Sequence, residues 1–242
     1  MPAARSLLVL GAFFLATGVT FVGCDGNRSR SEPEVSRPEN VLAFSTLYKT
    51  NCSACHGENG RNGAAISFAN PVYLAVVGED HLRKVIAKGV PGALMPPFAR
   101  AAGGMLTDQQ VGVLAQGMLR EWGTPNLLAT ISAPPYLATL QGDVAGGQQA
   151  FAVFCARCHG ANGEGNMSSS GKIGSIVDPS YLALISDQYL RSNIIAGRPD
   201  AGMPDWRTDA AQPMTDQQIT DIVTWLASKR TANPGQPYHL HP

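Results

Sequence analysis

A mostly α-helical protein built from two tandem, similar domains is the fold class this sequence predicts, and three observations predict it. The second half of the chain restates the first. Apolar residues recur at helical spacing, and no stretch alternates as a half-buried strand would. Thr-Asp pairs stand at matched places where a helix needs an N-cap.

The repeat organises the whole chain of 242 residues. Cys52-x-x-Cys55-His56-Gly57 returns as Cys155-x-x-Cys158-His159-Gly160, an offset of 103 residues from His56 to His159. Pro71, Tyr73 and Ala75 return as Pro179, Tyr181 and Ala183. Gly89, Pro91, Met95 and Pro96 return as Gly197, Pro199, Met203 and Pro204, an offset of 108 from Met95 to Met203. An insertion around Met167 to Lys172 accounts for the difference. So long a period excludes a solenoid and predicts domains over 39–122 and 142–231. The linker is 123–141, with Pro125, Pro134 and Pro135. Its Leu127, Leu128 and Ile131 predict that it packs on the domains rather than floating free.

Within each domain the elements follow in order. Asn40 to Thr50 carries helically spaced apolar residues and runs directly into the first cysteine pair. Glu79 to Lys88 predicts a second, short helix. Thr107-Asp108 and Thr215-Asp216 start helices that end near Trp122 and Arg230. Abundant glycine (26) and proline (17) predict loop-rich domains, which bury little apolar surface and need a further staple. Lys plus Arg balances Asp plus Glu at 18 each, so no bulk charge directs the chain to nucleic acid.

The cysteines identify the staple. Of five, Cys52, Cys55, Cys155 and Cys158 form two C-x-x-C pairs, each followed at once by histidine; the fifth, Cys24, closes the N-terminal apolar segment. C-x-x-C-H is the attachment motif of c-type haem. Two intervening residues make one helical turn, which sets both sulfurs along one haem edge, and the adjacent imidazole then reaches the iron. Zinc or a redox dithiol is the competing reading of C-x-x-C, but zinc does not need histidine directly after the second cysteine of each pair. The chain is therefore expected to carry two covalently bound haem c groups, through Cys52 and Cys55 and through Cys155 and Cys158.

These motifs, with Gly147, Phe151, Met203-Pro204 and Trp225-Leu226, resemble the class I cytochrome c family in a two-domain, dihaem form, over nearly all of Asn40 to Arg230. The resemblance implies small helical haem domains whose first and last helices cross beside the haem. In domain two the crossing would set Gly147 against Trp225. In domain one the equivalent positions are Phe44 and Gly117, so small still faces large with the helices exchanging roles.

The sixth iron ligand separates a carrier from a catalyst, because a His/Met iron is saturated and suited to electron transfer. His56 and His159 are the expected proximal ligands, Met95 and Met203 the opposite ones. Both methionines precede proline, which stiffens the loop, and they match in the repeat. Met118 is expected in the core, Met214 in packing, Met167 in a loop; Met105 has no methionine counterpart. His81 is expected at the surface, and His239 and His241 in a tail, 232–242. Arg61, Arg100, Trp206 and Arg207 are candidate donors to haem propionates or simply surface and packing residues. No catalytic residue is expected. The expected function is electron transfer in a membrane-associated respiratory chain. Its redox partners would be a quinol-oxidising complex, a terminal oxidase or a dehydrogenase. A dihaem peroxidase-like enzyme with an open haem site is the alternative, and a haem sensor is disfavoured for want of any output domain.

The N-terminus is read as an address. Arg5 precedes an apolar run from Leu7 to Val22, shorter than the ~20 residues that span a bilayer. The Val22-Gly23-Cys24 ending resembles the bacterial lipobox. This implies a signal peptide over 1–23, lipidation of Cys24, a flexible tether over 24–38, and an exported protein anchored on the outer face of the cytoplasmic membrane or in the periplasm. An uncleaved anchor and simple cleavage are the alternatives.

Overall fold

The computed structural model describes residues 37–91, 93–168, 171–207 and 212–231. The expected signal peptide, Cys24, most of the expected tether, and the expected tail with His239 and His241 lie outside the described residues.

Repeat one begins with a 3-10 turn, Pro38–Asn40. Then come α1 (Phe44–Asn51) and the single turn α2 (Ser53–His56). The repeat continues with α3 (Pro71–Lys88) and α4 (Asp108–Trp122). Repeat two comprises α5 (Val144–Phe154), the turn α6 (Ala156–His159), α7 (Pro179–Leu184), α8 (Asp187–Ala196) and α9 (Asp216–Ala227). The predicted mostly helical class is what the chain adopts. Between α6 and α7, strands β1 (Asn166–Ser168) and β2 (Gly171–Ile173) pair antiparallel, Met167 opposite Lys172. This hairpin is the insertion itself, so Met167 sits in a strand and not in an open loop; it is 72% exposed. Three-residue strands carry too little alternation to announce themselves.

The helix expected from Glu79 starts eight residues earlier. Asn70 caps α3, its Oδ1 accepting from the amides of Val72 and Tyr73 at 3.0 and 3.1 Å, and Pro71 occupies the first turn, where no amide partner is needed. Gly78, at φ 69° and ψ 166°, then breaks the helical path. The equivalent of Gly78 in repeat two is Ser186, an extended residue that caps a fresh helix, α8. One kinked element and two separate ones are thus the same design, with glycine or a capping serine at the bend.

Both last helices start with reciprocal caps. Thr107 Oγ1 accepts from the Gln110 amide while the Gln110 side chain accepts from the Thr107 amide, and Thr215 and Gln218 do the same. The first and last helices of each repeat cross at a glycine. A Cβ on Gly117 would stand 2.7 Å from Phe44 Cε2 and nearer still to Cδ2 and Cγ of that ring; one on Gly147 would stand 2.7 Å from Trp225 Cβ. The exchange of small and large between the two crossings is as the sequence predicts. Trp122 fills the space beside the first crossing, edge-on to Phe44 and Tyr48 with centroids 5.5 and 4.9 Å away.

The two repeats share one contiguous apolar core. Leu127 and Leu128 of the linker pack against it, whereas Ile131 is 42% exposed, contrary to expectation. The linker is anchored by polar contacts as well. Arg191, 2% exposed on α8, donates to the carbonyls of Pro135 and Tyr136 and to Thr220 Oγ1, and pairs with Asp216. A buried guanidinium demands such full pairing, since an unsatisfied buried charge is strongly destabilising. The Tyr136 ring meets Tyr73 of α3 and also His81 edge-on, at 6.5 and 5.0 Å between centroids. His81 is therefore a half-buried partner of the linker and not the surface residue expected.

Candidate haem sites

The backbones of the two C-x-x-C-H segments fold alike. Cys52 and Cys155 have φ, ψ of −121°, −33° and −119°, −33°. His56 and His159 amides donate to the carbonyls of Cys52 and Cys155 at 3.0 and 2.9 Å. Each turn ends in a left-handed glycine, Gly57 at φ 81° and Gly160 at φ 80°. A Cβ on Gly57 would stand 2.7 Å from the Arg61 carbonyl carbon, so no side chain fits there. One helical turn thus separates the two cysteines of each pair, with the histidine directly after the second.

Local contacts orient the first imidazole. His56, buried, lies within 2.8 Å of the Ile66 carbonyl oxygen through Nδ1 and stacks on Phe68 at 4.0 Å. A carbonyl only accepts, so Nδ1 carries the proton and Nε2 keeps a lone pair for a metal. Burial lowers the pKa of both His56 and His159, with the Ile66 bond partly opposing it in His56, and both favour the neutral, ligating form. Nδ1 of His159 is buried without a hydrogen-bond partner among the described residues. Burial, with Cys55 beside it, pushes the Cys52 thiol up to about 12, so before attachment it stays a thiol. No disulfide joins Cys52, Cys55, Cys155 and Cys158. Among the described residues no three His, Cys, Asp or Glu side chains converge as a zinc site requires. The donor set fits haem c.

The methionine loops are matched as well. Gly89 and Gly197 end α3 and α8 at φ 67° and 68°. A Cβ on either would stand 2.6 Å from the carbonyl oxygen of Met95 or Met203. That carbonyl accepts from the amide of Val90 at 3.0 Å in repeat one and of Arg198 at 2.9 Å in repeat two. Met95 packs on the core, and Met203 is likewise half-buried. Further along, the Phe98 and Trp206 amides donate to Ile86 and Ile195 carbonyls at 3.1 and 3.2 Å, tying each loop back to the preceding helix. Trp206 is buried, Arg207 lies over its ring and pairs with Asp205, and Arg61 and Arg100 are exposed. Met118 is fully buried in the core, Met214 packs against it, and Met105 is 81% exposed.

Ile66, Phe68 and Asn70 are the site residues that the motif reading misses. Ile66 acts through its backbone, which leaves no mark on sequence. Asn70-Pro71 is a helix-start signature that was legible in principle.

A pair of helical C-x-x-C-H turns, each followed in its own repeat by a braced methionine loop, is the pattern of a c-type cytochrome. Family models agree: residues 144–229 match cytochrome c, and residues 39–116 match subunit III of the cbb3-type cytochrome c oxidase. The chain is a c-type cytochrome with two cytochrome c-like domains. It is 31% identical over 135 residues to the cbb3-type cytochrome c oxidase subunit FixP of Sinorhizobium medicae, covering 52% of this chain and 41% of that protein. It is 22% identical over 241 residues to the cytochrome bc1 complex cytochrome c subunit of Corynebacterium diphtheriae, covering 93% of this chain and 81% of that one. Among solved structures it is similar to the Kuenenia stuttgartiensis reducing HAO-like protein complex Kustc0457/Kustc0458, at 16% identity and a TM-score of 0.43, over 78% of this chain and 96% of that one.

Proposed function

We propose that this chain is a dihaem electron-transfer cytochrome of a membrane-associated respiratory chain, a carrier or a fixed electron-transfer subunit. The observation that carries the reading is the matched pair of sites. Cys52 and Cys55 would hold one haem, with His56 and Met95 binding its iron, and Cys155 and Cys158 the other, with His159 and Met203. Haem c supplies one-electron chemistry at an iron whose potential a His/Met pair raises. The protein's part is to saturate that iron. The Ile66 carbonyl holds His56 in its ligating tautomer, and the left-handed Gly89 and Gly197 let each methionine carbonyl sit against its helix end. Such an arrangement leaves no position for a substrate, which disfavours the peroxidase-like alternative.

Relatives that are subunits of cbb3-type oxidases and of bc1 complexes support redox partners of those two classes, a terminal oxidase and a quinol-oxidising complex, with a dehydrogenase as a further donor. No helix among the described residues is long and apolar enough to cross a membrane. Attachment through lipidated Cys24, on the outer face of the cytoplasmic membrane, would place the chain beside such partners. The test is spectroscopic. Ferric protein should show far-red sulfur-to-iron absorption from both haems, with Met95→Ala and Met203→Ala each removing one contribution. Full absorption in either variant overturns that ligand assignment.

A further inference from the structure

Asn70 joins the two repeats at a point neither haem motif contains. It is 3% exposed, and its whole hydrogen-bonding capacity is used. Oδ1 caps α3; Nδ2 donates across to repeat two, to the carbonyls of Ala196 at 3.0 Å and Gly197 at 3.2 Å. These are the last residue of α8 and its C-cap, carbonyls that a helix end leaves without an internal partner. The start of α3 thus abuts the end of α8, a head-to-tail meeting that the two helix dipoles favour. Gly197 is also the residue whose backbone lies against Met203, and the next residue, Arg198, exchanges hydrogen bonds with Met203 in both directions at 2.9 Å. On its other side Asn70 is two residues from Phe68, the ring stacked on His56.

The repeat supplies its own control. Asp178 occupies the equivalent position, caps α7 at the amides of Ser180 and Tyr181, and is exposed. A carboxylate has no N–H to donate. The brace therefore runs one way, from repeat one to the methionine loop of repeat two.

We infer that Asn70 is a positioning residue by which repeat one holds Met203 in place, so that retention of the second methionine ligand depends on the inter-repeat contact while retention of Met95 does not. This rests on the ligand assignment above, and the test separates the two. Asn70→Asp keeps the cap but sets a carboxylate against two carbonyls. Asn70→Ser keeps a good cap and removes both long-reach donors. Each is made in full-length holoprotein in a Met95→Ala background, where the remaining far-red band belongs to Met203, and in a Met203→Ala background, where it belongs to Met95. Imidazole is the probe for ligand loss. In the Met95→Ala background either substitution should weaken the band and raise imidazole affinity at repeat two by about tenfold, the scale of two lost hydrogen bonds. The Met203→Ala background and Asp178→Asn should show neither change. Unchanged band and affinity overturn the inference, as does an equal loss at both repeats, which would signify general unfolding. A Met95→Ala parent with no far-red band overturns the ligand reading instead.

Discussion

At the scale of single residues, the two sites differ in the hydrogen bond made by the histidine of each motif. His56 gives its Nδ1 proton to a carbonyl, whereas His159 finds no acceptor among the described residues. A hydrogen-bonded imidazole is the more basic ligand and favours the oxidised iron. The repeat-one centre should therefore have the lower potential, which would send electrons from repeat one to repeat two. Titrating Met203→Ala and Met95→Ala proteins separately, each with its remaining far-red band as readout, measures the two potentials. The reverse order would contradict the assignment. The histidines and cysteines themselves are plain in the sequence because their order and spacing are the chemistry. The acceptor is not, because any residue offers the same carbonyl oxygen.

At the scale of elements, glycine at a helix crossing decides how near two axes come. Gly-to-Ala inside a helix ordinarily gains up to about 1 kcal/mol. At Gly117 the added methyl meets the Phe44 ring, and at Gly147 the backbone of Asp221 and Trp225 Cβ. Gly117→Ala and Gly147→Ala should each lose roughly 1–3 kcal/mol, the usual cost of overpacking, and Gly117→Trp more. Denaturant titration checks this; an unchanged midpoint would mean the helices part at no cost. This pairing is legible in sequence because the repeat compares the chain with itself, Phe44 with Gly147 and Gly117 with Trp225. The start of α3 was harder to read: Gly78 interrupts its periodicity, so only the half after the bend shows as a helix.

Across the whole molecule, the interface between repeats is aromatic and polar as well as apolar. Tyr73, buried there beside Tyr136, has its pKa raised well above 10.0, by burial first and then by the neighbouring phenol; Tyr136 is raised as well, chiefly by burial. The folded form thus holds phenolic protons that the unfolded chain would release near 10.0, so this part of the stability is fully present below that pH and is lost as pH rises above it. Thermal midpoints should fall between pH 9 and pH 11, and Tyr73→Phe, lacking an ionisable group, should fall less. Equal slopes would contradict a role for Tyr73. Nothing in the sequence marks Tyr73, Asn70 or Arg191 as joining residues, because each lies within an ordinary helix or cap and its partner is over fifty residues away.

Closure of both irons by imidazole and thioether is what the functional account depends on. The resting ferric holoprotein, examined by magnetic spectroscopy and then reduced under carbon monoxide, tests it most directly. Two low-spin haems that take up carbon monoxide slowly or not at all are expected. A five-coordinate, high-spin centre that binds it at once would make this chain a catalyst with an open site.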